Sequence, residues 1–252
     1  VSWNYVFYDT SRPFISNIAI NKDLVIAVDM KNVFRSTDFG ESWDSTVIPI
    51  DDYLLPINIY FATDEIIYIS GEFGNFLRST DAGISFELLS HNNLYENIND
   101  FSFSDSLTGY FTTQSSKIYK TSNAGESFIN ITPNDILFPF YKIQAVSNNM
   151  VVTNAGENIY ITKDGGLSWN VSSYNSQYPS VIYFFDALNG WISYYPNLIR
   201  RTTNGGETWS NIFLNDSTIS VESSISFVDE FNGFFSTDSR FYNTTNGGQN
   251  WN

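Results

Sequence analysis

The residues of this sequence that could do chemistry recur at a regular spacing. An eight-residue motif, Ser/Thr-x-Asp/Asn-x-Gly-x-Ser/Thr/Asn-Trp/Phe, occurs six times, with a polar third residue at Asp38, Asp81, Asn123, Asp164, Asn204 and Asn246. Acidic turns in an acidic protein could bind Ca²⁺, which needs roughly six to eight oxygen ligands. Asparagine replaces aspartate in three motifs, and each motif has too few oxygens for such a shell. We therefore predict structural turns and no metal site.

The spacing of the motifs indicates a repeat architecture. Their glycines lie 40 to 43 residues apart, at Gly40, Gly83, Gly125, Gly166, Gly206 and Gly248. Within each period, four short runs rich in β-branched and aromatic residues alternate with turn residues, as expected for strands. Four strands in a period of about 41 residues predict an all-β fold, a β-propeller of four-stranded antiparallel blades. We place the motif in the hairpin between the third and the outer strand of each blade.

Each type of residue that recurs in the motif has a structural explanation. The polar residues can bond the amides of a tight turn, the glycine permits a left-handed conformation, and the aromatic residue fills the gap beside the next element. We assign structural roles to Asp38, Gly40, Trp43, Asp81, Gly83, Phe86, Asn123, Gly125, Phe128, Asp164, Gly166, Trp169, Asn204, Gly206, Trp209, Asn246, Gly248 and Trp251.

A second recurrent turn, Asp-x-x-x-Gly, joins the inner and the second strand in three periods. It starts at Asp105, Asp186 and Asp229. The aspartate can accept hydrogen bonds from turn amides. We predict that the glycine of this turn supplies a positive φ.

The eight-residue motif resembles the Asp-box, or BNR repeat, of sialidase-type propellers. Together with the turn at residues 186–191 and the double-glycine motif at 204–209, the chain is most similar to the photosystem II assembly-factor type of propeller found in bacteria. The resemblance implies that the boxes lie on one face, here called the box face, opposite the usual ligand site. Relatives include sialidases, sortilin-type receptors and xyloglucan-cleaving hydrolases, so the resemblance leaves the activity open.

No catalytic constellation is evident. A sialidase needs three convergent arginines for the substrate carboxylate, but three of the six arginines, Arg35, Arg78 and Arg201, directly precede a box. Another glycosidase needs two carboxylates about 5–10 Å apart, and no spacing selects such a pair. We predict no catalytic residues and no cofactor.

The composition limits the classes of binding partner and bears on the cellular location. With 27 acidic and 12 basic residues, the net charge of −15 would repel nucleic acid and anionic lipid. No apolar run approaches the roughly 20 residues that cross a bilayer, so no membrane insertion is expected. The absence of cysteine fits a reducing cytosol or an export route without disulfides. We place the protein outside the cell, on the cell surface or in the periplasm.

The face opposite the boxes, here called the loop face, is formed by the connections from second to third strands and from outer strands to the next inner strands. Long loops on a rigid scaffold commonly carry binding residues, and tyrosine-rich loops suit protein or glycan partners. Phe138 lies in one of these loops. We choose as candidate binding residues Arg12, Tyr53, Phe73, His91, Tyr95, Tyr174, Tyr178, Tyr194 and Tyr195.

We predict one propeller domain over residues 1–252, excised from a longer chain. Six blades, closed by the strand-like residues Trp3 to Phe7, are preferred, and a seven-bladed ring missing a piece is the alternative. The predicted function is a non-enzymatic scaffold for protein interaction or assembly in an exported bacterial protein. The alternatives are a carbohydrate-binding or glycoside-hydrolysing propeller and a purely structural repeat. The sequence indicates no oligomeric state.

Overall fold

The computed structural model describes residues 15–50, 56–89, 96–175, 177–214, 223–237 and 240–252. Within these ranges the chain forms strands β1 to β23 and one turn of 3-10 helix, at Glu72–Gly74. The strands make six antiparallel sheets. No helix of the described residues is both long and apolar enough to span a membrane.

The first three sheets have four strands each. The first contains β1 (Asn17–Asn21), β2 (Leu24–Val28), β3 (Asn32–Ser36) and β4 (Asp44–Val47). The second contains β5 (Pro56–Phe61), β6 (Ile67–Gly71), β7 (Phe76–Ser79) and β8 (Glu87–Leu88). The third contains β9 (Ile98–Phe103), β10 (Gly109–Thr113), β11 (Ile118–Thr121) and β12 (Ile129–Asn130).

The fourth and fifth sheets also have four strands, and the sixth has three among the described residues. The fourth contains β13 (Phe140–Ala145), β14 (Val151–Ala155), β15 (Asn158–Thr162) and β16 (Asn170–Ser173). The fifth contains β17 (Pro179–Phe184), β18 (Gly190–Tyr194), β19 (Leu198–Thr202) and β20 (Ser210–Phe213). The sixth contains β21 (Ser224–Phe227), β22 (Gly233–Ser236) and β23 (Phe241–Thr244).

The prediction of an all-β propeller is confirmed. Strand order within each sheet follows the chain, and the boxes of the first five sheets connect the third strand to the outer one. The innermost strands β1, β5, β9, β13, β17 and β21 contact one another in that order. The residues of the predicted closing strand, Trp3 to Phe7, lie outside the described residues.

The core lies between the sheets. Five hydrophobic clusters each draw side chains from two successive sheets. Because a blade packs on both of its faces, the second strands of the first five sheets are buried along their whole length and do not alternate.

The Asp-x-x-x-Gly turn forms, but our explanation of its glycine was wrong. The Asp105 carboxylate accepts hydrogen bonds from the amides of Leu107 and Thr108 at 2.7 and 2.6 Å. Gly109 does not have a positive φ. A Cβ at this position would lie 2.4 Å from the Phe103 ring, and the glycines of the other two turns meet an inner-strand phenylalanine in the same way. The glycine is needed because the ring lies against the backbone.

Candidate functional site: an aromatic groove on the loop face

Each box forms hydrogen bonds within its own turn. In the first box, Ser36 Oγ accepts a hydrogen bond from the Gly40 amide at 2.8 Å, and this bond recurs at 2.8–2.9 Å in all six boxes. The Ser42 hydroxyl and amide donate to the Asp38 carboxylate at 2.6 and 2.9 Å. These bonds lower the pKa of Asp38 to about 2, and the bond from the Ser42 hydroxyl has the largest effect.

The boxes with asparagine keep the same geometry. The Asn123 Oδ1 accepts from the Ser127 amide at 3.0 Å, while its Nδ2 donates to Ser127 Oγ at 3.0 Å. The hydroxyl therefore accepts where it donates in the aspartate boxes. Among the described residues, no three His, Cys, Asp or Glu side chains are placed to hold a metal ion.

Basic residues tie successive boxes together. Arg35 Nε donates to the carbonyl of Ala82 in the second box at 2.8 Å, and Arg78 reaches the carbonyl of Ala124 in the third box at 2.7 Å. Arg78 also forms an ion pair with Glu126 at 2.6 Å. Polar groups of these box turns are thus bonded within and between blades.

The predicted loop-face residues have several different environments. Arg12, Tyr53, His91 and Tyr95 lie outside the described residues. Phe73, Tyr178 and Tyr195 are exposed, whereas Tyr174 is half-buried under the Arg200 guanidinium, 4.6 Å from the ring centroid.

Tyr194 differs from our prediction, because it is only 1% exposed and belongs to the cluster between the fourth and fifth sheets. Burial raises its pKa. Tyr194 ends the fully buried strand β18, so it stabilises the core and is not available to a partner.

A groove of about 390 Å³ lies on the loop face between the fourth and fifth blades. Its lining is mostly apolar and combines the beginnings of β13 and β17 with the end of β14. The residues are Phe138, Tyr141, Lys142, Asn154, Gly156, Tyr178, Pro179 and Ser180. Phe138, Tyr141, Lys142 and Tyr178 are exposed.

Two features of the backbone shape the groove. The ladder between β13 and β14 shifts register between Phe140 and Ile143, so Tyr141 and Lys142 are both exposed instead of alternating. The Lys142 amide donates to Asn154 Oδ1 at 3.2 Å, and Thr153 Oγ1 donates to the Lys142 carbonyl at 2.5 Å, which holds the bulge. A Cβ on Gly156 would lie 2.7 Å from the Phe138 ring, so this ring rests on the glycine backbone.

A buried carboxylate bonds the strand that carries Tyr141 and Lys142. Asp100 on β9 accepts hydrogen bonds from Asn58 Nδ2 at 3.2 Å and from the Ile143 amide at 3.1 Å, so it links three inner strands. Burial raises the pKa of Asp100, and the positive charge of Lys142 is the largest opposing influence. The bulge is therefore braced on both sides.

Sequence reasoning identified Tyr178 and the loop containing Phe138, but it missed Tyr141, Lys142 and Asn154. Tyr141 and Lys142 depend on the bulge, which strict alternation along a strand does not reveal. Asn154 is a buried polar residue near the end of a second strand, and the equivalent residues Ser70, Thr112 and Ser193 are also buried and polar, so no signal in the sequence distinguished Asn154.

The sequence model of the family described as "Photosynthesis system II assembly factor YCF48" matches residues 129–252. A curated relative, the photosystem II assembly lipoprotein Ycf48 of Synechococcus sp. (strain CC9902), is 27% identical over 95 residues. That match covers 36% of this chain and only 28% of the relative.

Solved structures share the fold. YCF48 from Cyanidioschyzon merolae superimposes with a TM-score of 0.70 at 13% identity, covering 94% of this chain and 83% of that one. YCF48 bound to a D1 peptide has a TM-score of 0.69 at 14% identity, with coverages of 90% and 77%. The GH74 xyloglucanase from Xanthomonas campestris has a TM-score of 0.69 at 12% identity, covering 92% of this chain and 45% of the enzyme.

The fold and the repeated boxes define a BNR-repeat β-propeller. Within that class, the chain resembles the photosystem II assembly factor Ycf48.

Proposed function

We propose that this chain is a non-enzymatic protein-interaction module that binds an extended peptide segment in the loop-face groove. The observation that carries the proposal is the set of exposed aromatic side chains, Phe138, Tyr141 and Tyr178, around Lys142. Aromatic side chains offer large contact areas and are enriched at protein interfaces. The braced bulge holds Tyr141 and Lys142 in place before a partner arrives, which lowers the entropic cost of binding.

The chemistry of the groove indicates the kind of segment that fits. Its volume of about 390 Å³ accommodates a few side chains, and its apolar lining favours hydrophobic ones. Lys142 is the one basic residue among the described residues of the lining, and it offers an ion pair to a carboxylate. The net charge of −15 opposes a run of acidic residues, so we expect one carboxylate beside apolar side chains.

Two comparisons support a peptide ligand and a role in assembly. All lining residues of the groove lie within residues 129–252, the part that matches the assembly-factor family. The complex of YCF48 with a D1 peptide is an example of a peptide ligand on this fold. The xyloglucanase neighbour shares only the fold, and fold alone does not determine activity.

The lining of the groove argues against glycoside hydrolysis there. Retaining and inverting glycosidases place two carboxyl groups about 5–10 Å apart around the scissile bond. Among the residues that the structure describes, those that line this groove include no aspartate or glutamate.

We infer that the protein works outside the cytosol, since the curated relative is a lipoprotein. Fractionation of the producing cells should recover it from the envelope or the medium. Recovery from the cytosol alone would contradict this inference.

A random-peptide display library, selected on the immobilised chain, tests the peptide proposal. Selected peptides should combine apolar residues with one carboxylate, and their affinities can be measured by fluorescence anisotropy. Tyr141→Ala and Tyr178→Ala should each weaken binding about tenfold or more, because aromatic anchors commonly dominate an interface. Lys142→Met should weaken binding most for the peptides that keep the carboxylate.

Leu167→Ala is the matched control, since Leu167 is an exposed apolar residue of the box face. It should leave affinity within about twofold. If Leu167→Ala weakens peptide binding and Tyr141→Ala and Tyr178→Ala do not, the binding site lies outside the groove. If the chain binds a glycan array and Tyr178→Ala abolishes this binding, the ligand of the groove is a sugar and not a peptide. Turnover of a glycoside would overturn the non-enzymatic proposal.

A further inference from the structure

A pocket of about 290 Å³, here called the box pocket, lies between the outer strand of the fourth blade and the fifth box. Its lining combines residues 170–172 on β16, residues 205–207 of the fifth box and Ile161, which directly precedes the fourth box. The described lining residues of the box pocket and of the loop-face groove have no member in common. The two are therefore separate sites.

The first cause of the box pocket is a small residue at a position where other blades have a large one. The third residue after the box aromatic is Leu89 in the second blade and Ile131 in the third. A Cβ on the glycine of the following box would lie 2.7 Å from Leu89 Cδ1 or 2.6 Å from Ile131 Cδ1, so these side chains fill the boundary between blades. Ser172 occupies this position in the fourth blade and is too short to fill it.

The second cause is the residue that precedes the box. Arg35 and Arg78 stand there in the first two blades, and each donates to a carbonyl of the next box, at 2.8 and 2.7 Å. Ile161 takes this place in the fourth blade. Its side chain cannot donate a hydrogen bond, and the equivalent carbonyl, that of Gly205, receives no side-chain donor from the described part of the chain.

The boundary between the first and second blades shows how a small residue can close the same space. There Thr46 occupies the position of Ser172, and its hydroxyl donates to the carbonyl of Ile84 in the second box at 3.1 Å. The corresponding carbonyl of the fifth box belongs to Glu207. Among the residues that the structure describes, the Ser172 hydroxyl has no hydrogen-bond partner. The box pocket therefore combines open space with polar groups that the protein itself does not bond.

We propose that the box pocket binds a single neutral sugar residue. Asn170 and Ser172 carry groups that both donate and accept hydrogen bonds, and the two carbonyls of the fifth box accept them, which matches the hydroxyl groups of a sugar. Ile161 and Val171 provide an apolar wall for the C–H surface of the ring. Ligand pockets commonly enclose about 300–1,000 Å³, so a pocket at the small end of this range suits one ring.

The charges around the box pocket argue against an ionic ligand. Glu207 forms an ion pair with Lys163 at 2.9 Å, so each of these charges is offset by the other. The net charge of −15 opposes the approach of an anion. A neutral ligand with several hydroxyl groups fits both observations.

A glycan array probed with the labelled chain tests the proposal, followed by calorimetric titration with the free oligosaccharide of the strongest signal. Ser172→Leu introduces the kind of side chain that fills the equivalent boundary at Leu89. It should lower the affinity for that oligosaccharide at least tenfold. It should also leave the thermal midpoint unchanged or raise it by about 2–4 °C, because the added side chain buries apolar surface.

Thr46→Leu is the matched control, since it introduces the same side chain at the equivalent position of the first blade. It should leave the affinity for the oligosaccharide within about twofold. Asn170→Ala is a second test that does not depend on the folding of Ser172→Leu, because Asn170 is exposed. It should lower the affinity at least threefold.

The proposal is overturned if the chain binds no glycan, if Ser172→Leu and Thr46→Leu have equal effects, or if Asn170→Ala leaves the affinity unchanged. If Tyr178→Ala abolishes sugar binding and Ser172→Leu does not, the sugar lies in the loop-face groove and the proposal is wrong. Ser172→Leu should leave peptide binding in the groove unchanged, so the two proposals can fail independently.

Discussion

The box face and the loop face of this propeller are built in opposite ways. On the box face, six copies of one motif bond their own turns, and basic residues such as Arg35 and Arg78 bond the next turn. On the loop face, the connections differ from blade to blade, and aromatic side chains such as Tyr141 and Tyr178 remain exposed.

This difference separates residues that hold the scaffold from residues that are available to a partner. A polar group that is already bonded within a turn gains little from a ligand, whereas an exposed aromatic ring can be buried by one. The comparison predicts that changes on the box face affect stability and that changes to exposed loop-face residues affect binding.

The largest expected effect concerns two tyrosines that the sequence grouped together. Tyr194→Ala should lower the free energy of unfolding by about 3–5 kcal/mol, because it leaves a cavity in the core. Tyr178→Ala should change it by less than about 0.5 kcal/mol, because this side chain is exposed. Urea unfolding of both variants measures the difference. Equal effects would show that exposure does not separate the two residues.

Two adjacent glycines of the fourth box give the next largest effect. Gly166 has a φ of +95°, and a Cβ there would lie 2.7 Å from Ile131 Cβ, so Gly166→Ala combines strain with a clash. We expect a loss of about 2–4 kcal/mol. Gly165, with a φ of +75°, would meet mainly the end of the Lys120 side chain, 2.5 Å away.

Gly165→Ala is therefore the matched control, and it should cost about 1–2 kcal/mol from the backbone alone. Thermal or urea unfolding of the two variants isolates the packing contribution. A cost at Gly165 equal to that at Gly166 would assign the whole effect to the backbone conformation.

The smallest expected effect is a change in pH dependence. Hydrogen bonds from Ser168 lower the pKa of Asp164 from 3.8 to about 2, and the bond from its hydroxyl has the largest effect. A lowered carboxyl pKa stabilises the folded state above pH 3.8, and this stabilisation is lost as the pH falls toward 2. Asp164→Asn should change stability little at pH 7, because asparagine already occupies this position in three boxes. It should also reduce the loss of stability at low pH, here called the acid limb of the stability profile.

Asn204→Asp is the reverse change and should steepen the acid limb of the stability profile. Urea midpoints between pH 5 and pH 2, at constant ionic strength, measure both variants. Identical profiles for the wild type and the two variants would show that the box carboxylates do not contribute to acid stability.

The prediction of the fold succeeded because its signals are local and repeated. The bonds of one box, from Ser36 Oγ to the Gly40 amide and from the Ser42 amide to Asp38, join residues within one turn. The glycine of the Asp105 turn shows the limit of this reasoning. Its sequence suggested a positive φ, but the ring of Phe103 on the neighbouring strand explains it.

The candidate site was less predictable, because its residues come from separate strands. Tyr178 stood out as an exposed loop tyrosine, yet its neighbour Tyr194 was chosen on the same grounds and is buried. Tyr141 and Lys142 became visible only with the register shift in β13.

The sequence by itself determined the repeat, the four strands of a blade and the turns of the boxes, because these depend on hydrogen bonds and side-chain alternation over a few residues. The tertiary structure alone decided which aromatic residues face solvent and that Tyr141 and Tyr178 line the same groove. It also decided that Phe241 is 85% exposed, whereas Phe76, which likewise stands three residues before its box, is buried. Each of these depends on contacts between neighbouring blades, whose residues are about one repeat apart in sequence. The same apolar residue at the same position is core in one blade and surface in another, according to what packs beside it.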